Sequence, residues 1–120
     1  MSKITQKQLL TDKIIEAIQD TKGEDVLVFD LSNIENAVAE TFIICSGNSN
    51  TQVSAIAGNI EKKVRNDLQE RPWHVEGTEN AMWVLVDYVT TVVHVFQRET
   101  REYYDIEELW GDVKITKIES

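Results

Sequence analysis

Four places in the chain carry residue types that could do chemistry. Ser46-Gly47-Asn48-Ser49 is a turn of small residues ahead of a helical pattern, where free amides and a helix dipole could hold an anion. No Lys follows as in a P-loop and no G-x-G-x-x-G occurs, so the favoured reading is an ordinary strand-to-helix turn capped by Ser49. His74 and His94 could share a metal only if the fold brought carboxylates to them, since neither H-x-H nor H-x-x-x-H spacing occurs. His94, between Val93 and Val95, reads as a hydrogen-bonded structural histidine, and His74 as a surface residue. Cys45 follows Ile44 in an apolar run and reads as an inert packing residue, although a nearby histidine would make it a candidate nucleophile. Metal-dependent nucleotidyl transfer needs clustered carboxylates soon after the small-residue turn. Between Gly47 and the end of the following helix near Asp67, only Glu61 precedes that Asp, and Asp87 stands alone on its strand. No catalytic residue, metal ligand or cofactor site is therefore expected.

The other informative pattern is an alternation. From Met82 to Tyr88, residues Trp83, Leu85 and Asp87 share one strand face, while Met82, Val84 and Val86 share the other. Both faces are apolar enough to be buried, so Trp83 is either core or an exposed aromatic anchor of the kind that dominates binding surfaces. Arg101, Tyr103, Tyr104, Leu109 and Trp110 pose the same alternative, a satellite core or an interaction ridge. Asp105, Glu107 and Glu108 make an acidic segment that favours approach of a basic partner.

Elements able to position these residues are legible by periodicity. Thr5 with Gln8 can cap a helix carrying Leu10, Ile14, Ala17 and Ile18, which Gly23 stops. Val26 to Phe29 and Phe42 to Cys45 read as buried strands. Ser49 with Gln52 opens the longest helix, whose stripe of Val53, Ile56, Ile60, Val64 and Leu68 closes near Pro72. A strand at Trp73 to Glu76, a turn at Gly77 to Asn80, and a hairpin of Met82 to Tyr88 with Val92 to Gln97 around Val89 to Thr91 follow. Asp105 and Glu108 can cap a last helical turn holding Ile106, Leu109 and Trp110, with Gly111 as its terminator, and the polar tail from Asp112 is expected to fray. The expected fold is α/β: one domain over 1–120, with a mixed sheet of about five strands and helices mainly on one face, the opposite face being available.

Bulk properties narrow the function classes. The 120 residues suit one core, and a net charge of -9 repels phosphate backbones, so direct nucleic-acid contact should be slight and a basic protein partner fits better. The absence of a signal-like segment and of an apolar run of membrane-spanning length points to the cytosol, with no membrane partner. With a single cysteine, no intramolecular disulfide can form.

Five blocks in order resemble the Iojap-like ribosomal silencing factors: Phe42-Ile43-Ile44-Cys45-Ser46-Gly47, Glu76-Gly77, Trp83-Val84-Leu85-Val86-Asp87, Val93-His94-Val95-Phe96, and Arg101 through Trp110. The resemblance runs from about Leu10 to Trp110 and departs at Glu40-Thr41, where an Asp followed by an aromatic is more usual, and at Val89-Thr90-Thr91, where the turn is commonly Gly-rich. It implies a small α/β domain similar to the nucleotidyltransferase fold, often homodimeric and without a demonstrated catalytic role. Such a domain docks on the large ribosomal subunit through the fourteenth large-subunit protein and hinders subunit joining when nutrients are scarce. On matching motifs, the resemblance puts Trp83, Asp87, His94, Phe96, Tyr104, Leu109 and Trp110 at or beside the docking surface, Trp83 as aromatic anchor and Asp87 as acceptor for Arg or Lys. A generic dimerisation module using the same apolar surface is the competing reading, and a dimer that buried Trp83 would compete with docking.

Overall fold

In the computed structural model, residues 5–110 and 112–119 are described, so Gly111 as a helix terminator lies outside the described residues. Thr5 accepts a hydrogen bond from the Gln8 amide at 3.1 Å and starts α1 (Gln6–Asp20). Its four buried residues are Leu10, Ile14, Ala17 and Ile18, the stripe that helical spacing predicts. Ser49 accepts from the Gln52 amide at 3.1 Å and starts α2 (Asn50–Leu68), which ends on Gln69 in the left-handed region (φ +52°), ahead of Pro72. Asn59 Nδ2 donates to the Ala17 carbonyl at 2.9 Å, tying α2 to α1.

The strands are β1 (Glu24–Asp30), β2 (Thr41–Gly47), β3 (His74–Glu76), β4 (Trp83–Asp87), β5 (Thr91–Gln97) and β6 (Lys114–Lys117), in the sheet order β3-β4-β5-β2-β1-β6. All neighbours are antiparallel except β2 and β5, which run parallel. That parallel pair requires a long crossover, and α2 with the β3 and β4 strands supplies it. A seven-residue helix, α3 (Arg98–Tyr104), continues directly from β5, and a 3₁₀ turn spans Ile106–Trp110.

Three expectations are corrected. The sheet has six strands, not about five, because the tail does not fray: β6 pairs with β1, and the Ile118 amide donates to the Val26 carbonyl at 2.9 Å. All four β6 residues are exposed, so the strand shows no burial alternation, and its two lysines are of the type that protects sheet edges. The sequence reading also passed over α3, which buries only Thr100 and Arg101 and so has no apolar stripe. The face opposite the helices, finally, is not simply available. α1 and α2 cover Ile43, Cys45, Val84, Val86, Val93 and Val95 on one side. On the other side Phe29, Phe42, Ile44, Val92 and Phe96 form a second cluster under Leu31, Ala39, Ile106, Trp110 and Val113. The chain thus folds back over part of this second face, because Phe29, Phe42 and Phe96 would otherwise leave large apolar area in water. No helix among the described residues is long and apolar enough to cross a membrane.

Candidate functional site

The site is the part of the second face that remains uncovered. Register fixes which residues meet there: Trp83 lies opposite Phe96, Leu85 opposite His94, and Asp87 opposite Val92, while β2 contributes Phe42 and Ile44 beyond β5. Alternation along each strand sends these side chains to the same side, away from α1 and α2.

Aromatic rings then lock together. Trp83 stacks on Phe96 with centroids 4.8 Å apart and leans against Tyr104 at 5.1 Å. Phe42 packs edge-on against His94 at 4.9 Å and against Trp110 at 5.7 Å. The indole Nε1–H of Trp83 donates to Nδ1 of His94 at 3.2 Å, which puts the imidazole proton on Nε2, a buried atom with no partner among the described residues. Burial lowers the His94 pKa to about 4, so the ring is neutral near pH 7.

The residues named from sequence separate by exposure. Phe96 is fully buried and His94 nearly so, which makes them the floor of the site. Trp83, Asp87 and Trp110 are half-buried. Tyr104 is 53% and Leu109 75% exposed, and Tyr103 beside them is 82% exposed. Asp87 Oδ1 accepts from the Val89 amide at 2.7 Å, holding the carboxylate at the mouth of the β4–β5 hairpin.

Charge around this patch is set by two arginines that turn away from it. Arg101 is buried: its Nε donates to Glu107 Oε1 at 2.7 Å, and its Nη1 to the Asp25 carbonyl and to Ser46 Oγ, both at 2.8 Å. Arg98 Nη2 donates to Glu24 at 2.8 Å. Glu99, Glu102, Asp105 and Glu108 are exposed along the segment that carries the tyrosines and Leu109, and Glu102 and Asp105 line a depression with Arg98, Arg101 and Lys117. The sequence reading grouped Arg101 with the ridge residues but gave it no role of its own. Its structural task depends on Ser46 and Asp25, 55 and 76 positions away, and no local spacing announces such contacts.

Other chemical candidates are accounted for by packing. Cys45 is fully buried among apolar side chains, and desolvation pushes its thiol up to about 12. The Asn48 amide is taken by Gln52 Oε1 at 2.6 Å and Ser49 caps α2, so the Ser46 to Ser49 turn already uses these groups internally. His74 is exposed and bonds Glu76 at 2.8 Å. Among the described residues no group of three or more His, Cys, Asp or Glu could hold a metal ion.

The chain as a whole has counterparts among known proteins. The family model described as "Ribosomal silencing factor during starvation" matches residues 4–120. The chain belongs to that family. A Halalkalibacterium halodurans protein named "Ribosomal silencing factor RsfS" is 40% identical over 112 residues, covering 93% of this chain and 94% of the relative. A crystal structure of a Chromobacterium violaceum protein superposes with a TM-score of 0.83 at 35% identity, covering 99% of this chain and 95% of that one. More distant is the mouse protein named "Mitochondrial assembly of ribosomal large subunit protein 1", 28% identical over 104 residues, which covers 82% of this chain and 44% of the mouse one. Membership in the ribosomal silencing factors assigns the chain a ribosome-related silencing role and makes it a regulatory protein.

Proposed function

We propose that this chain acts by binding and not by catalysis: it docks on the large ribosomal subunit through the fourteenth large-subunit ribosomal protein and sterically blocks subunit association, repressing translation when nutrients are scarce. The observation that carries this reading is the half-exposed Trp83 held in place by His94 and Phe96 beside Tyr104, which belongs to a segment with exposed Glu99, Glu102, Asp105 and Glu108. A rigid aromatic that loses little freedom on binding makes a good anchor, and an acidic rim selects a basic partner. Trp83 anchors, Asp87 accepts from Arg or Lys, and Tyr104, Leu109 and Trp110 extend the contact, while His94 and Phe96 shape it from beneath. The name of the mouse relative, which refers to the large subunit, supports the choice of subunit. The net charge of -9 leaves little role for direct RNA contact. On this reading the factor works in the cytosol as one domain over 1–120, similar to the nucleotidyltransferase fold and without its metal chemistry, and self-associates as a homodimer.

Co-sedimentation with separated ribosomal subunits tests the proposal. The expected result is selective binding to the large subunit, lost in Trp83→Ala and weakened in Asp87→Lys, with circular dichroism showing both variants folded. Equal binding to both subunits, or to neither, overturns it. Asp87 is half-buried at a hairpin mouth, so its variant remains informative even if Trp83→Ala fails to fold.

A further inference from the structure

At one end of the second face, residues of β1, β2, β6 and α3 line a depression of about 510 Å³ that carries charges of both signs. Arg101 commits Nε and Nη1 to Glu107, Ser46 Oγ and the Asp25 carbonyl, while its Nη2 has no partner among the described residues and is not sealed in the interior. Lys117 forms no ion pair among the described residues, in contrast to Arg98, which Glu24 holds at 2.8 Å. Glu102 on α3 and Asp105 at its C-cap are exposed and form none either. Opposite charges thus line one hollow without closing across it.

The backbone beside it is irregular. The register of β1 with β2 shifts between Glu24 and Leu27, and Asp25 within that shift has φ +50°, a strained value for a residue with a side chain. Arg101 Nη1 holds the carbonyl that this turn presents. We propose that the depression binds a free α-amino acid, its carboxylate on Arg101 Nη2 and Lys117 and its ammonium on Glu102 and Asp105. Charge-assisted hydrogen bonds of both kinds then form at once, and neither end of the ligand leaves a charge of the hollow unanswered. None of the residues assigned above to the docking surface lines this depression, so the inference goes beyond the docking reading and does not rest on it.

Charge selects among small ligands. The lining has three cations, Arg98, Arg101 and Lys117, against four carboxylates, Asp25, Glu102, Asp105 and Glu107, so a plain anion such as phosphate meets net repulsion. A plain cation leaves Arg101 Nη2 and Lys117 unused. A zwitterion answers both, and the surplus carboxylate favours a second ammonium at the end of the ligand's side chain, as in lysine. Leu27 is the one apolar residue of the lining, so an aliphatic chain with a polar tip suits the hollow better than an aromatic one.

Titration of the isotope-labelled full chain with L-lysine at constant ionic strength, followed by amide chemical shifts, tests the site. Saturable shifts are expected at Leu27, Ser46, Asp105 and Lys117. Cadaverine, which lacks the carboxylate, and hexanoate, which lacks both amines, are expected to bind about tenfold more weakly. Lys117→Gln, and the double variant Glu102→Gln with Asp105→Asn, change exposed positions and are each expected to weaken lysine about threefold or more, in spectra that otherwise remain those of the folded chain. Asparagine tolerates the left-handed backbone of Asp105, so that substitution keeps the cap. No saturable shift at millimolar lysine overturns the inference. Shifts that both variants leave unaltered put binding elsewhere and overturn it as well, and so does cadaverine or hexanoate binding as tightly as lysine. The docking reading stands under each of these outcomes.

Discussion

Trp83 and His94 are diagonal neighbours on one face of the β4–β5 hairpin, and the indole donates to imidazole Nδ1 at 3.2 Å. The bond ties the exposed anchor of the site to a buried ring, and it needs that ring to keep Nδ1 free as an acceptor. Protonation of His94 would convert the acceptor into a donor and set two N–H groups against each other.

The first prediction follows from that conflict. His94 titrates near 4 in the folded chain against an ordinary 6.5, so the unfolded chain takes up the proton first as pH falls. Its contribution is complete above about 6.5 and is lost as pH drops toward about 4, amounting to about 3 kcal/mol. Urea denaturation at a series of pH values is expected to show stability rising with pH across this window, and a much flatter dependence in His94→Phe. Glu16 and Asp30, whose carboxyls are held low by the Lys63 and Ser32 hydrogen bonds, lose their own contributions at lower pH in both proteins. Identical slopes would show that His94 is not the titrating group.

Arg101 is the second test. Replacing it with Met leaves Glu107, Ser46 Oγ and the Asp25 carbonyl without their common donor, at an expected cost of about 3 kcal/mol or more. Arg101→Lys is expected to recover little of this, because one ammonium cannot reproduce the planar fork that reaches all three acceptors. A midpoint for Arg101→Met within experimental error of wild type would mean that the buried guanidinium is dispensable for anchoring α3 to the sheet.

Val89 is the third. It has φ +75°, and the Thr90 amide donates to the Tyr88 carbonyl at 2.9 Å across it, the bond pattern of a γ-turn. A β-branched residue is strained there, and its side chain is 60% exposed, so little packing is lost on removing it. Val89→Gly is expected to stabilise the fold by about 0.5–1 kcal/mol, the strain relieved less the added freedom of the unfolded chain. A lowered thermal midpoint would show that the valine side chain makes contacts worth more than the strain.

Cys45 gives the fourth. A fully buried thiol raised to about 12 has almost no thiolate at pH 8. Alkylation by iodoacetamide in native buffer is expected to be slow, and to accelerate in urea in step with unfolding, as read by mass spectrometry. Rapid modification of the folded protein would reveal an opening of the helix-side core that the packed arrangement does not show.

Much of this molecule was legible in one dimension because its signals are local. Thr5 and Ser49 mark where α1 and α2 begin, a stripe at helical spacing marks what each buries, and the Met82 to Tyr88 alternation already separates Trp83, Leu85 and Asp87 from Val84 and Val86. Caps, stripes and alternations depend on neighbours within a few residues, so composition and order suffice to read them. The resemblance carried by five short blocks also held, as the family match shows.

Tertiary structure alone decided what depends on distant partners. β6 is a strand because β1 presents an open edge to it, and its exposed Lys-Ile-Thr-Lys run has no pattern of its own. Likewise α3 folds under the hold of Arg101, a charged residue that sequence logic places in water but that finds three acceptors beside β1, β2 and the 3₁₀ turn. For the candidate site, sequence supplied the residue types, while the return of the chain over the second face chose which of them stay reachable. Trp110 turns partly inward against Phe42, and Leu109, its neighbour, stays in water, because burial is settled by what packs against a residue and not by the residue itself.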